Sequence, residues 1–337
     1  MRYVLLWIVG YLISNTMALA QKFVPDASIV RFDNALYQLI SPQVTIETLA
    51  TGFAFIEGPV WVEREKRLLF SDTQRNTIFS WTETEGVTVR IKPSGYTASA
   101  NNAEALKEPG SNGLAFDAKG NLLLCQHGNR QLAKLTNPLG NQEDPSFEPL
   151  AETYQKQRLN SPNDLTVHSN GSIYFTDPPY GLQLVNGETL EQDLPFQGVY
   201  RLDRYGVLHL IDSSMSRPNG IALSHDEQTL LVSNSDEDDP YWKRYTLDEL
   251  GLVVDEKRYY TVVDEGQHFE GAPDGLKYHS SGCLFATGPG GVWIFNSSGR
   301  VIGRIQVGEV VSNLTFDTKE KYLYLTASTS LVRIKMK

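Results

Sequence analysis

Residues 57–72 read EGPVWVEREKRLLFSD: an acidic side chain, an apolar run, a charged tight turn, and a second apolar run ending in a carboxylate. The same grammar returns at 112–127 (NGLAFDAKGNLLLCQH), 163–177 (NDLTVHSNGSIYFTD), 219–234 (NGIALSHDEQTLLVSN), 274–288 (DGLKYHSSGCLFATG) and 313–327 (NLTFDTKEKYLYLTA). Two apolar runs around a turn rich in Gly, Asn, Asp, Lys or Glu make a β-hairpin. A third strand-like piece belongs to each unit: NTIFSW, RQLAKL, GVYRL, WKRYTL, GVWIF and LVRIKM. The openers Glu57, Asn112, Asn163, Asn219, Asp274 and Asn313 are separated by 55, 51, 56, 55 and 39 residues. A period near 50 residues built of short strands predicts an all-β fold, a six-bladed β-propeller.

The sixth unit ends without an outer strand of its own. VTIETLA at 44–50 alternates as a strand and is expected to fill that place, so that an N-terminal strand closes the ring. Closure removes sheet edges that would otherwise template aggregation. The predicted organisation is therefore one catalytic propeller over 44–337, preceded by an arm at 21–43 with a short helix near Asn34–Ile40. Ahead of the arm, Arg2, the apolar run Tyr3–Ile13 and Ala18-Leu19-Ala20 before Gln21 form a signal peptide over 1–20. That apolar run is shorter than the roughly 20 residues a membrane span needs. Export to the periplasm or the extracellular space is expected, with no membrane association after cleavage. Cys125 and Cys283 fall in the second and fifth units, on opposite sides of a six-unit ring. A disulfide needs Cα atoms within about 7 Å, so two buried free thiols are expected. The formal net charge of −10 and the lack of a basic cluster argue against nucleic acid as a partner.

Residues at one register of a radial repeat converge on its axis. The six openers are all oxygen donors, which predicts a ring of oxygens at the channel mouth. Each second strand returns to the same face, ending at Asp72, Gln126 with His127, Asp177, Asn234, Gly288 and Ala327. Carboxylates and amides without a thiolate suit a hard cation, Ca²⁺ or Mg²⁺, over Zn²⁺. Amide-rich, irregular ligation favours Ca²⁺. Asn-Gly and Asp-Gly also serve as turn pairs, but a turn does not demand an oxygen donor six times in register. Serine hydrolysis is not expected, because no G-x-S-x-G elbow occurs.

Four segments in order, GFAFIEGPVW, RLNSPNDL, RPNGIALS and APDGLKY, resemble the senescence-marker-protein/gluconolactonase/luciferin-regenerating family over about residues 45–335. CQHGNR and YFTDPPYG resemble its bacterial gluconolactonase branch. The resemblance implies a six-bladed propeller with a divalent cation, usually Ca²⁺, in its channel. By motif, Glu57, Asn163, Asn219 and Asp274 would be the metal set, with Asp274 also the catalytic carboxylate. The implied reaction is hydrolysis of a sugar lactone such as glucono-1,5-lactone, with Asp274 as general base or, alternatively, as nucleophile. Mg²⁺, Mn²⁺ and Zn²⁺ are the other divalent candidates. Asn112, His127, Asp177 and Arg158 are expected on the substrate side, Asp177 alternatively supporting a ligand or capping a turn. Asn313 is expected to be a structural copy. One position departs from the animal members, which carry an arginine two residues before the equivalent of Asn163; here it is Ser161, and Arg158 or His127 is expected to replace it. Two further readings stay open: a phosphotriesterase or arylesterase on the same scaffold, and a non-catalytic propeller stapled by Ca²⁺. Oligomeric state is not legible.

Overall fold

The computed structural model describes residues 22–23, 27–98, 103–139, 144–262 and 269–337; the expected leader at 1–20 lies outside the described residues. Six antiparallel sheets follow one another along the chain as blades. Blade one is Ile56–Val62, Arg67–Asp72, Thr77–Thr82 and Gly86–Ile91, innermost strand first. Blades two to four repeat that order, their innermost strands being Ser111–Phe116, Leu165–Val167 and Pro218–Leu223. Blade five begins with Leu276–Tyr278 and blade six with Val311–Phe316. The fourth strand of blade six is Ile46–Thr51, paired antiparallel with Ser330–Lys335, so an N-terminal strand closes the ring.

The arm also joins the ring. Ser28–Arg31 adds a fifth strand to blade five by pairing with Val301–Gln306. A 3₁₀ helix, Asn34–Gln38, follows, capped by the Asp33 carboxylate accepting from the Ala35 N–H at 2.8 Å. It plants Leu36 in the core between blades five and six.

Strand alternation builds that core. In the second strand of blade one, Leu69 packs toward blade two against Leu122 and Leu124. Its neighbours Leu68 and Phe70 point the other way, toward Tyr324 and Leu331 of blade six. Leu123 and Cys125 likewise face blade three. Because every blade has a blade on each side, middle strands are apolar on both faces, which is why LLLC and TLLV read as unbroken runs. Hydrophobic clusters accordingly fill each blade-to-blade gap. Each fully buried Leu or Phe contributes about 1.5–3 kcal/mol. Both cysteines are free; Cys125 is buried as expected, whereas Cys283 is only half-buried, because it lies just before its strand, beside the turn at 280–282.

At the axis the inner strands approach too closely for ordinary side chains. A Cβ on Gly58 would sit 2.0 Å from the Asn112 carbonyl oxygen, and one on Gly220 would sit 2.1 Å from that of Asp274. The glycine after an opener is thus set by contact between neighbouring inner strands, not by a turn. Hydroxyls stitch the same contacts: Ser71 donates to the Asn112 carbonyl at 2.8 Å and Thr176 to that of Asn219 at 2.6 Å. Thr287 reaches the Ser312 carbonyl at 3.1 Å, and Ser312 reaches that of Ile56 at 2.7 Å.

Candidate active site

Each opener abuts the next around the axis. Gly58 packs on Asn112, Gly113 on Asn163, Gly220 on Asp274 and Gly275 on Asn313. Between blades three and four, Thr176 binds the Asn219 carbonyl and the Ile221 N–H points at Asp164 Oδ2 at 3.4 Å. Asn313 Nδ2 donates to Glu57 Oε2 at 3.1 Å, which closes the ring. The strand pairing slips at the openers of blades one, two, four and six, between Glu57 and Val60, Ser111 and Leu114, Pro218 and Ile221, and Val311 and Asn313. A bulge there bends the strand and re-aims the opener, an arrangement common beside active sites.

The ring has four buried side-chain oxygens that no protein group satisfies: Oδ1 of Asn112, Asn163, Asn219 and Asp274. Leaving a buried acceptor unmet costs about 1–3 kcal/mol each, so four at one place mark a ligand position. The partners of the amide nitrogens orient those oxygens. Asn219 Nδ2 donates to Ser235 Oγ at 2.9 Å, and Ser235 in turn donates to the Pro273 carbonyl. Asn163 Nδ2 lies 3.4 Å from His127 Nε2. The other ring nitrogen, Nδ1, faces Glu108 Oε2 at 3.3 Å. Asn313 differs: its Oδ1 accepts from the Leu314 N–H at 2.8 Å, so it fastens Glu57 and offers no free oxygen.

Carboxylates crowd the same space. Glu57 is buried, and its proton affinity is pushed up to about 8, chiefly by burial and further by Asp164 and Glu108, against the opposing hydrogen bonds from Gly58 N–H and Asn313. The half-buried Asp274 is raised well above the usual carboxylate range by burial and then by Glu57, Asp164 and Glu108. An oxygen-only set with excess negative charge fits a hard divalent cation. Among the described residues no group of three or more His, Cys, Asp or Glu is placed to hold a metal, which leaves amide-rich ligation as the available kind.

Residues 55–329 match the SMP-30/Gluconolactonase/LRE-like region. The chain belongs to that family. It is 37% identical to a gluconolactonase of Zymomonas mobilis over 92% of this chain and 86% of that protein. A gluconolactonase structure from Xanthomonas campestris superposes with a TM-score of 0.79 at 29% identity, covering 93% of this chain and 96% of that one. A calcium-binding protein, regucalcin, from Agrobacterium tumefaciens has the same fold at 16% identity and a TM-score of 0.64, covering 86% of this chain and 94% of that one.

Within this SMP-30/gluconolactonase-like ring, several side chains stand elsewhere than their register suggested. Asp177 is buried and both its oxygens are spent on backbone, accepting from Asn160 N–H and Ser161 N–H at 2.8 Å each. It holds the loop that delivers Asn163, and burial raises its proton affinity to about 7. Asp72 does the same for Ala54 at 3.0 Å, and Asn234 for Arg217 at 2.8 Å, so in blades one, three and four this residue clamps the blade's own entry loop. Arg158 is exposed and donates to the Asn129 carbonyl at 3.0 Å, while His127 is buried between Glu108 and Asn163. Ser161 is itself committed, donating to the Pro178 carbonyl at 2.6 Å and accepting from Gly181 N–H at 2.9 Å.

Three groups were not anticipated. Asp164 occupies the register that Gly58, Gly113, Gly220 and Gly275 fill in other blades; the change from N-G to N-D was its only trace. Glu108 arrives from the loop before blade two, outside any repeat. Tyr180, on the 3₁₀ turn Tyr180–Leu182, brings its hydroxyl to Ser235 within electrostatic reach of Asp274, Arg217 and Glu108.

Proposed function

We infer that the chain hydrolyses a sugar lactone such as glucono-1,5-lactone to the aldonic acid, using a divalent cation, Ca²⁺ in the first place, held by Glu57, Asn163, Asn219 and Asp274. Its family and its gluconolactonase relative make it a lactone-hydrolysing enzyme. The observation that carries the finer reading is the set of unsatisfied Oδ1 atoms on Asn112, Asn163, Asn219 and Asp274 beside the Glu57 carboxylate. When bound there, a divalent cation supplies Lewis acidity toward the ester carbonyl.

The remaining chemistry belongs to the side chains. With one carboxylate oxygen toward the cation, Asp274 keeps the other for a proton, and burial and acidic neighbours raise its proton affinity. A carboxylate in that state accepts a proton from an attacking water and returns it to the departing ring alkoxide. The new C–O bond comes from water, the ring C–O bond breaks, and the proton passes through Asp274. Glu108 and His127 hold the Asn163 amide with its oxygen inward, and Ser235 does so for Asn219. Asn112 adds a further oxygen for the cation or for a water.

Turnover should be measured on an aldonolactone panel, before and after EGTA and with Ca²⁺ restored. Chelation is expected to abolish activity and Ca²⁺ to recover it. Asp274→Asn should lower kcat by at least about 10³-fold while retaining part of the metal affinity; wild-type turnover in that variant refutes the assigned role.

A further inference from the structure

Among the described residues four Lys and Arg side chains are buried: Arg90, Lys243, Arg304 and Arg333. Three of them hold a carboxylate. Arg90 reaches Glu65 at 2.9 Å, Lys243 reaches Asp212 at 2.7 Å and Arg333 reaches Glu47 at 2.7 Å. Arg304, only 8% exposed, holds none, and its buried Nε–H has no acceptor. No carboxylate of the described residues acts on it; burial alone moves its proton affinity, downward. A desolvated charge is normally offset by a counter-charge or by hydrogen bonds.

Aromatic rings account for the faces of this guanidinium and leave its edge. Its central carbon lies 4.1 Å from the centre of the Phe269 ring and 5.3 Å from that of Trp293. Such contacts engage the plane of the fork, whereas the N–H donors point outward within that plane and call for oxygens. Gln306 stands two residues on in the strand Val301–Gln306 and therefore on the same face. Its Oε1 accepts from Ser28 Oγ at 2.9 Å, which leaves the amide nitrogen as a second donor. Gln306 and Gly290 line a cavity of about 220 Å³ on blade five. A Cβ on Gly290 would sit 3.2 Å from Arg304 Nη1, so the guanidinium edge lies against that cavity's wall. Glu270 and Glu309 line it too, but Glu309 already accepts from Thr329 N–H, Thr329 Oγ1 and Ser330 Oγ. The exposed Glu270 repels a dianion more than a monoanion.

We propose that Arg304 and Gln306 form a binding site for a small monocarboxylate on blade five, outside the central channel. The guanidinium supplies the parallel pair of N–H donors that a carboxylate takes in bidentate fashion, geometry that a lysine point charge cannot reproduce. The Gln306 amide donates from the cavity side, and Phe269 and Trp293 hold the fork flat. No carboxylate of the central ring acts on Arg304, so the site stands apart from the lactonase reading.

The probe is sodium acetate, titrated at pH 8 into the Ca²⁺-loaded protein in place of chloride, with Trp293 fluorescence as the local reporter. A saturable change is expected. Arg304→Met should weaken acetate binding by about tenfold to a hundredfold, and Arg304→Lys, which keeps the charge but loses the fork, by about tenfold. Trp293→Phe should silence the fluorescence while calorimetry still finds the site. Inorganic phosphate, a dianion at that pH, should bind at least about tenfold more weakly than acetate. Without acetate, Arg304→Met should melt no lower than wild type, because the change removes an unpaired buried charge. A cation that only fastens Phe269 gives the reverse, a lower melt and no acetate response, and that result overturns the site. So does a wild-type response in both Arg304 variants, or phosphate bound as tightly as acetate.

Discussion

Acidifying the protein from pH 8 to pH 6 is expected to weaken its affinity for Ca²⁺ by about fiftyfold or more. The reason is competition for one set of oxygens. Glu57 binds a proton with a pKa near 8 in the metal-free ring, because burial and the neighbouring Asp164 and Glu108 disfavour its charge. A cation can use that carboxylate only after the proton leaves. One such group makes the apparent affinity fall roughly tenfold per pH unit below its pKa, about 1.4 kcal/mol each. Asp274, also raised, by burial first and then by Glu57, Asp164 and Glu108, acts in the same direction. Titration calorimetry at intervals between pH 6 and 8, in two buffers of different ionisation enthalpy, reads both the affinity and the protons released. About one to two protons should leave per ion bound at pH 6, and Glu57→Gln should remove most of one. An affinity constant within threefold across that range, with no proton release, refutes the electrostatic account of the ring.

Stability of the metal-free protein should run the opposite way, for the same reason. A carboxyl whose folded pKa lies above its unfolded value favours the fold fully below the unfolded pKa and loses that advantage as pH rises. For Glu57 the window runs from its ordinary 4.5 to about 8. The loss is at most about 5 kcal/mol. Thermal melts in EGTA should therefore fall in midpoint from pH 5 to pH 8, and saturating Ca²⁺ should abolish the fall.

Other outcomes test single contacts. Gly220→Ala pushes a Cβ to 2.1 Å from the Asp274 carbonyl oxygen and should cost at least about 2 kcal/mol by denaturant unfolding; Gly120→Ala, in open space, should cost only about 1 kcal/mol. His127→Ala frees the Asn163 amide to rotate and is expected to weaken Ca²⁺ binding about tenfold to a hundredfold with the melting profile in EGTA unchanged; unaltered affinity would remove His127 from the site. Protein recovered from the periplasm or medium should begin at Gln21 by N-terminal sequencing, and an intact Met1 in exported material would contradict the leader at 1–20.

The period of the openers was enough for the blades, because a propeller repeats its hydrophobic pattern blade by blade and neighbouring blades bury both faces of each middle strand. The N-terminal closing strand was legible for the same reason: a missing outer strand in the sixth unit matched an unassigned alternating segment in the first fifty residues. Register was a poorer guide to the site. It put Asp177 and Asn234 on the correct face, yet their lone pairs turn back to the backbone entering their own blades. It could not reach Glu108, which no repeat contains, and it treated Asp164 as filler where glycine is the rule. Asn163 and Asn313 make the distinction sharp. They share a register, a residue type and a place on the axis, but the Asn313 oxygen is consumed by the Leu314 N–H while the Asn163 oxygen has no partner. Periodicity says where a side chain arrives. Which of its atoms is left unsatisfied there depends on groups from distant segments, His127 and Glu108 for Asn163, and that is what separates a ligand from its structural copy.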